Sequence, residues 1–186
     1  MQHQHGRAII LLEGLDKTGK STEARRLEVG LSVFGPVRVV HFGPPQGNPF
    51  GEYREAIRDA DAFQGSTVID RLHWSNEAYQ AVYRANGEGL MPSHQVDQLD
   101  TLLDLAGGGV VYKTRRPEEV VAAMDGEDYG EADLDRVSDL DRRFQRRWFK
   151  TLLLMRRMVP FGYLVPDSFL HDLANHRSRM LSAASR

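Results

Sequence analysis

The sequence predicts an α/β domain built on a central parallel sheet. Short apolar runs alternate with segments whose apolar residues recur every three or four positions. A glycine-containing loop, GLDKTGKS, joins the first such run to the first such segment, and an Asp-Arg pair follows the third run. At 186 residues, 41% hydrophobic and 27% charged, the chain can bury one substantial core, and a single domain is expected over its whole length.

The elements follow in order. Ala8 to Leu12 is the expected first strand, Val37 to Phe42 the second and Thr67 to Asp70 the third, each short and rich in Ile, Val or Leu. Ala24, Leu27, Leu31 and Phe34 mark one face of the intervening helix, which Gly35 and Pro36 stop. Val110 to Lys113 and Gly162 to Val165 complete the expected strands, each with a helix before it. Val137, Leu140, Phe144, Trp148, Leu152 and Met155 keep helical spacing through the longest expected helix, which ends before Pro160. This stripe reads as core, not as a cofactor box.

Composition narrows the function classes. A net charge of −2 provides no bulk attraction to nucleic acid, and the absence of cysteine removes disulfides and Cys-based zinc sites. No stretch approaches the roughly 18 apolar residues of a membrane span, and the N-terminal residues lack a basic segment followed by an apolar one. The expectation is a soluble cytoplasmic protein with no membrane partner. His3 and His5 are read as incidental to a frayed terminus.

The opening loop carries the chemistry. Gly14, Gly19, Lys20 and Ser21 satisfy GxxxxGK followed by Ser or Thr, whose backbone N–H groups converge on phosphate oxygens at a helix N-terminus. Lys20 is placed to neutralise β and γ phosphates and the Ser21 hydroxyl to ligate magnesium, with Thr18 and Thr22 in the same phosphate-binding set. Asp70, at the carboxyl end of the third strand, is placed to hold magnesium through water. Arg71 is placed to clamp a second phosphate. A phosphate loop alone fits a kinase, a GTPase switch, a motor or a binding module. No NKxD base-reading motif follows the fourth strand, and Asp70 is followed by RLH, which disfavours a non-catalytic switch.

The segments LLEGLDKTGKST and DRLHWSNEAYQ resemble the EGxDxxGKST and DRYxxSxxAYQ blocks of the thymidylate kinase branch of nucleoside and nucleotide kinases, the second matching at Asp70, Arg71, Ser75, Ala78, Tyr79 and Gln80. RRPEEV, Arg115 to Val120, resembles the family's strand-to-helix segment more weakly, and Glu127 to Val137 is placed like its lid. The resemblance implies a P-loop kinase three-layer sandwich, a five-stranded parallel sheet flanked by helices, with ATP as donor and Mg2+ as metal. It implies that Arg71 holds the acceptor's phosphate, Asp16 approaches the acceptor sugar, and Ser75, Tyr79 and Gln80 line the acceptor pocket. It also implies that Lys17, inside the loop, stabilises the transferring phosphoryl beside Lys20, which leaves Lys17, Lys20, Asp70 and Arg71 as the candidate catalytic set.

The chain departs from that pattern in two places. The second-to-third strand connection, Gly43 to Ser66, is short and lacks an evident base-reading arginine, leaving Phe50, Tyr53, Arg54 and Phe63 as candidate substitutes. Met124 to Asp135 contains no Arg or Lys, which shifts catalytic work to Lys17 and to Arg115 or Arg116. Trp74 is a candidate for stacking on the acceptor base and His73 for a general base, each set against a core reading. The basic run from Arg142 to Arg157 reads either as a solvated face complementing the helix dipole or as a track for a phosphate backbone. The expected activity is phosphoryl transfer to a deoxynucleoside monophosphate. A nucleoside hydroxyl, or a hydroxyl on a modified base within DNA, is the alternative acceptor, and a homodimer is left open.

Overall fold

The computed structural model describes residues 7–84, 89–124 and 133–184. Five strands form one sheet: β1 (Ile9–Glu13), β2 (Val37–His41), β3 (Ser66–Asp70), β4 (Gly109–Thr114) and β5 (Arg156–Pro160). Their spatial order is β2-β3-β1-β4-β5 and every pair is parallel. Helices α1 (Lys20–Ser32), α2 (Pro49–Ala62), α3 (His73–Tyr83), α4 (Ser93–Leu105), α5 (Pro117–Ala122), α6 (Leu134–Lys150) and α7 (Asp167–Ala184) carry the chain between strands and away from the last one.

The sheet separates two cores. Ile10, Leu12, Val68, Val111 and Val159 pack against α1 and α7 through Leu27, Leu31 and Leu173. Ile9, Leu11, Ile69, Val110 and Tyr112 pack on the other side against Ile57, Trp74, Leu99, Leu103, Val120 and Phe144 of α2 to α6. β1, β3 and β4 are covered on both faces and buried almost throughout, which suits the apolar runs of β1 and β4, while β3 buries Ser66, Thr67 and Asp70 beside Val68 and Ile69. The expected three-layer architecture is the one observed.

Local sequence sets the helix starts. Asn48 caps α2 by accepting from the Gly51 amide at 3.3 Å, with Pro49 in the first turn. Asp133 caps α6 through the Asp135 amide at 2.9 Å, and Pro117 opens α5. At α1 the cap position is Gly19, which has no side chain to satisfy the first-turn amides.

Two expectations are corrected. The fifth strand is Arg156–Pro160, not Gly162 to Val165. It is a sheet edge with only Val159 buried, so it carries no apolar run, whereas Tyr163 and Leu164 are exposed loop residues. Helix α6 ends at Lys150, short of Met155, and Leu152 lies 82% exposed beyond it. Thr151 turns extended there, its hydroxyl donating to Asp100 at 2.6 Å. At 18 residues, α7 is also longer than α6, which has 17.

Asp100 gathers a buried polar knot. His73 Nε2 lies 2.7 Å from its carboxylate, the Trp74 indole donates at 2.9 Å, and Arg147 pairs with it while also donating to Asp97 at 2.7 Å. Burial opposes charge on Asp100, but the His73 bond and the charges of His73 and Arg147 outweigh it and hold the carboxyl at about 2. Within the basic run, Arg142 and Arg143 pair with Asp139, and Arg156 lies over the Trp148 ring at 5.2 Å. These residues therefore bond within the protein. Among the described residues no helix is long and apolar enough to cross a membrane.

Asp100→Ala leaves Arg147 and the indole without their shared acceptor, and a loss of about 3–5 kcal/mol is expected in urea unfolding. Because the folded carboxyl titrates below its ordinary 3.8, the wild-type contribution is present above that pH and disappears as pH falls through about 2. The difference in stability between wild type and variant should narrow over that acid range.

Candidate active site

The phosphate loop follows β1 at the carboxyl edge of the sheet. Gly14 has φ +135°, and a Cβ there would lie 2.2 Å from the Lys113 carbonyl oxygen of β4, so glycine is required both by conformation and by space. Gly19 has φ +82° and turns the chain into α1. Lys17, at φ +55°, is also left-handed, and its carbonyl accepts from Arg115 Nη1 at 2.7 Å. Arg115 stacks on the Phe161 ring, 4.0 Å from its centroid, and so braces the loop from outside. Arg116 points away, 77% exposed and paired with Glu119, so of the two arginines only Arg115 touches the loop.

Lys20 is buried and donates to the loop carbonyls of Gly14, at 2.9 Å, and Leu15. Burial lowers its ammonium to about 8 against the pull of Asp70 and Glu13. Thr18 is buried and donates to the Leu15 carbonyl at 2.8 Å, which closes the loop, while Thr22 is exposed on the first turn of α1. Ser21 Oγ donates to Asp70 Oδ2 at 3.1 Å. His41 Nδ1 lies 3.2 Å from the same oxygen, and Asp70 Oδ1 is buried with no partner among the described residues.

These donors fit magnesium. A hydroxyl and an unpaired carboxylate oxygen side by side suit a hard cation that takes one or two protein oxygens and completes its shell with water and phosphate. Among the described residues no cluster of three or more His, Asp or Glu forms a cage for another metal.

Arg71 occupies a left-handed turn, φ +68°, directly after β3. Its guanidinium pairs with Asp16 and lies over the Tyr79 ring at 5.6 Å. The Tyr79 hydroxyl donates to Asp16 Oδ2 at 2.9 Å and accepts from the Asp16 amide at 3.1 Å. Loop, strand end and α3 are thus joined through three side chains. They form one wall of a cleft of about 280 Å³, which also touches Phe42, Tyr53, Asn76, Gln80 and Tyr83. Phe42 meets Tyr53 edge-on with centroids 6.0 Å apart, giving the cleft an aromatic corner.

Most of the sequence-predicted set comes together here: Asp16, Lys17, Lys20, Ser21, Asp70 and Arg71 around the loop, and Ser75, Tyr79 and Gln80 on α3. Trp74 does not. It is 1% exposed with its indole on Asp100, so it is core and cannot stack on a ligand in the cleft. His73 is fully buried on the same carboxylate and is no general base for the cleft. Of the four candidate substitutes for the base reader, Tyr53 alone lines the cleft. Residues 125–132, most of the expected lid, lie outside the described residues.

Three residues were not singled out from sequence. Glu13, fully buried, accepts from the amides of Leu72, Trp74 and Ser75 at 3.0–3.1 Å and from the Ser75 hydroxyl, while burial raises its carboxyl. Its signal was a charge inside an apolar strand. Asn76 sits one helical turn before Tyr79 and Gln80, a spacing that places it on their face. Both Asn76 and Gln80 are buried, and neither atom of the Asn76 amide nor Gln80 Oε1 has a partner of good hydrogen-bond geometry among the described residues. His41, at the end of β2, had no motif to mark it.

No family model and no curated protein matches the chain by sequence. Solved structures do match by shape. The YorR protein of Bacillus subtilis, in complex with phosphorylated GDP, superposes with a TM-score of 0.66 at 19% identity over 89% of this chain and 93% of that one. The chain has the fold of the thymidylate kinase-like P-loop kinases. Thymidylate kinase from Candida albicans superposes with a TM-score of 0.51 at 18% identity, over 96% of this chain and 93% of that one. At these identities the P-loop kinase likeness is one of fold.

The low Lys20 value predicts a pH dependence for polyphosphate binding. A bound anion favours the ammonium, so affinity should be flat below pH about 8 and fall by about tenfold per pH unit above it. Calorimetry with magnesium and ATP from pH about 7 to about 9.5 checks this, and Lys20→Met should lose the high-pH decline.

Proposed function

We propose that the chain is a magnesium- and ATP-dependent kinase that transfers the γ-phosphoryl group to a deoxynucleoside monophosphate. The observation that carries this reading is the placement of two cations at the carboxyl ends of adjacent strands, Lys20 in the loop after β1 and Arg71 directly after β3, with the Ser21 and Asp70 oxygens bonded to each other at the same sheet edge. A single-cation loop serves binding. Two such cations serve transfer between two phosphorylated molecules.

On this reading the uncapped first turn of α1 and the Lys20 ammonium bind the donor phosphates. Ser21 and Asp70 would hold magnesium, whose chemistry there would be to neutralise charge on the phosphate oxygens. Lys17 adds a cation inside the loop, held in place by the bond from Arg115 to its carbonyl. Arg71 releases Asp16 to take the acceptor phosphate, and Tyr79 keeps Asp16 oriented near the acceptor sugar. Asn76 and Gln80 bring amides to the acceptor base, where Gln80 Oε1, which has no partner among the described residues, and the aromatic corner favour a planar ring bearing both donors and acceptors.

A monophosphate acceptor needs no strong base, because its phosphate oxygen is already a nucleophile. A hydroxyl acceptor profits from one, and the buried His73 cannot serve. Asp16 and His41 also line the cleft, so it is Arg71, available to clamp a second phosphate, that favours the monophosphate over a nucleoside or over a modified base in DNA.

Transfer from labelled ATP to deoxynucleoside monophosphates, nucleosides and oligonucleotides in parallel tests the reading, and product on nucleosides or DNA alone would overturn it. Lys20→Ala should lower kcat by at least about 100-fold. Arg71→Ala should raise the acceptor KM by about 30- to 100-fold while the ATP KM changes less than about threefold.

A further inference from the structure

Nothing in the phosphate loop motif or the fold calls for a histidine at the end of β2, yet the register of the sheet pairs His41 with Asp70. Residues paired across neighbouring strands project to the same face of the sheet, and here the imidazole reaches the carboxylate. His41 Nδ1 lies 3.2 Å from Asp70 Oδ2, while Ser21 Oγ lies 3.1 Å from the same oxygen. Oδ2 is therefore held from two sides and Oδ1, buried, is left without a partner. A buried carboxylate oxygen with no hydrogen bond is costly unless something else takes it.

We infer that His41 is a positioning residue for the metal: its Nδ1–H fixes Oδ2 of Asp70, so that Oδ1 is the oxygen presented for coordination. The inference rests on the donor-site reading above and adds to it a residue that neither motif contains. Hydrogen bonds that orient a ligating carboxylate commonly affect metal affinity by 10- to 100-fold. The His41 side chain is 59% exposed, which places the expected effect at the lower end and also means that truncating it opens no core cavity.

The role separates from a structural one by the geometry of the donor. Asparagine places its amide N–H near the position of Nδ1, whereas alanine has no donor. Mn2+ serves as the probe, its binding read by electron paramagnetic resonance with ATP present, and metal-free ATP binding is measured alongside by calorimetry. His41→Ala should weaken Mn2+ binding by about tenfold with metal-free ATP affinity and unfolding midpoint unchanged, and His41→Asn should restore binding to within about threefold of wild type. Equal Mn2+ affinity in wild type and His41→Ala would overturn this assignment and leave the donor site standing. Failure of the wild type to bind Mn2+ with ATP would overturn the donor-site reading and the assignment together.

Discussion

The site depends on one buried carboxylate. Glu13 closes β1 immediately before the phosphate loop, and it accepts the amides that begin α3. Those amides have no partner within their own helix, and α3 has no side-chain cap of its own. Glu13 supplies it from another strand. The bond fixes the turn containing Arg71 against the loop containing Lys20, so the separation of these two cations is set through a buried group that belongs to neither side chain. Burial raises that carboxyl, and the hydrogen bonds and the nearby His73 work against the rise.

A second layer of constraint acts on the loop itself. The Lys113 carbonyl occupies the space a Gly14 side chain would need, Arg115 grips the Lys17 carbonyl, and Phe161 backs both Arg115 and Gly19. Lys113 and Glu23 continue this bracing below the loop. Lys113 donates to the Tyr163 carbonyl at 2.7 Å, and Glu23 accepts from the Val165 amide at 3.2 Å. The β5–α7 connection is thereby tied to α1. Rigid backing of this kind lets amides and ammonium meet an anion without rearrangement, which is the condition under which they stabilise a transition state most.

The sequence was readable wherever burial was symmetrical. Strands β1 and β4 are covered on both faces and appear as apolar runs, β3 keeps Val68 and Ile69 at its centre, and the loop between β1 and α1 has a spacing that few other structures require. It was unreadable at β5, where an edge position leaves Arg156, Arg157 and Met158 exposed, and at the end of α6, where Thr151 obeys a contact with Asp100 some 51 residues away. Within α3 the error was one of rotation. Trp74 and His73 follow Arg71 closely in sequence but turn to the core, while Asn76, Tyr79, Gln80 and Tyr83, three or four apart, face the cleft. Proximity to the Asp-Arg pair points to Trp74 and His73, whereas helical period gathers Asn76, Tyr79, Gln80 and Tyr83 on the cleft face.

The central claim is that donor and acceptor phosphates meet between Lys20 and Arg71. A molecule joining adenosine to a deoxynucleoside through five phosphates spans both sites at once, and calorimetry with magnesium reads its affinity directly. Simultaneous engagement predicts binding at least about 100-fold tighter than ATP, with Arg71→Ala removing most of that gain. Affinity no better than that of ATP in the well-folded protein would contradict the account.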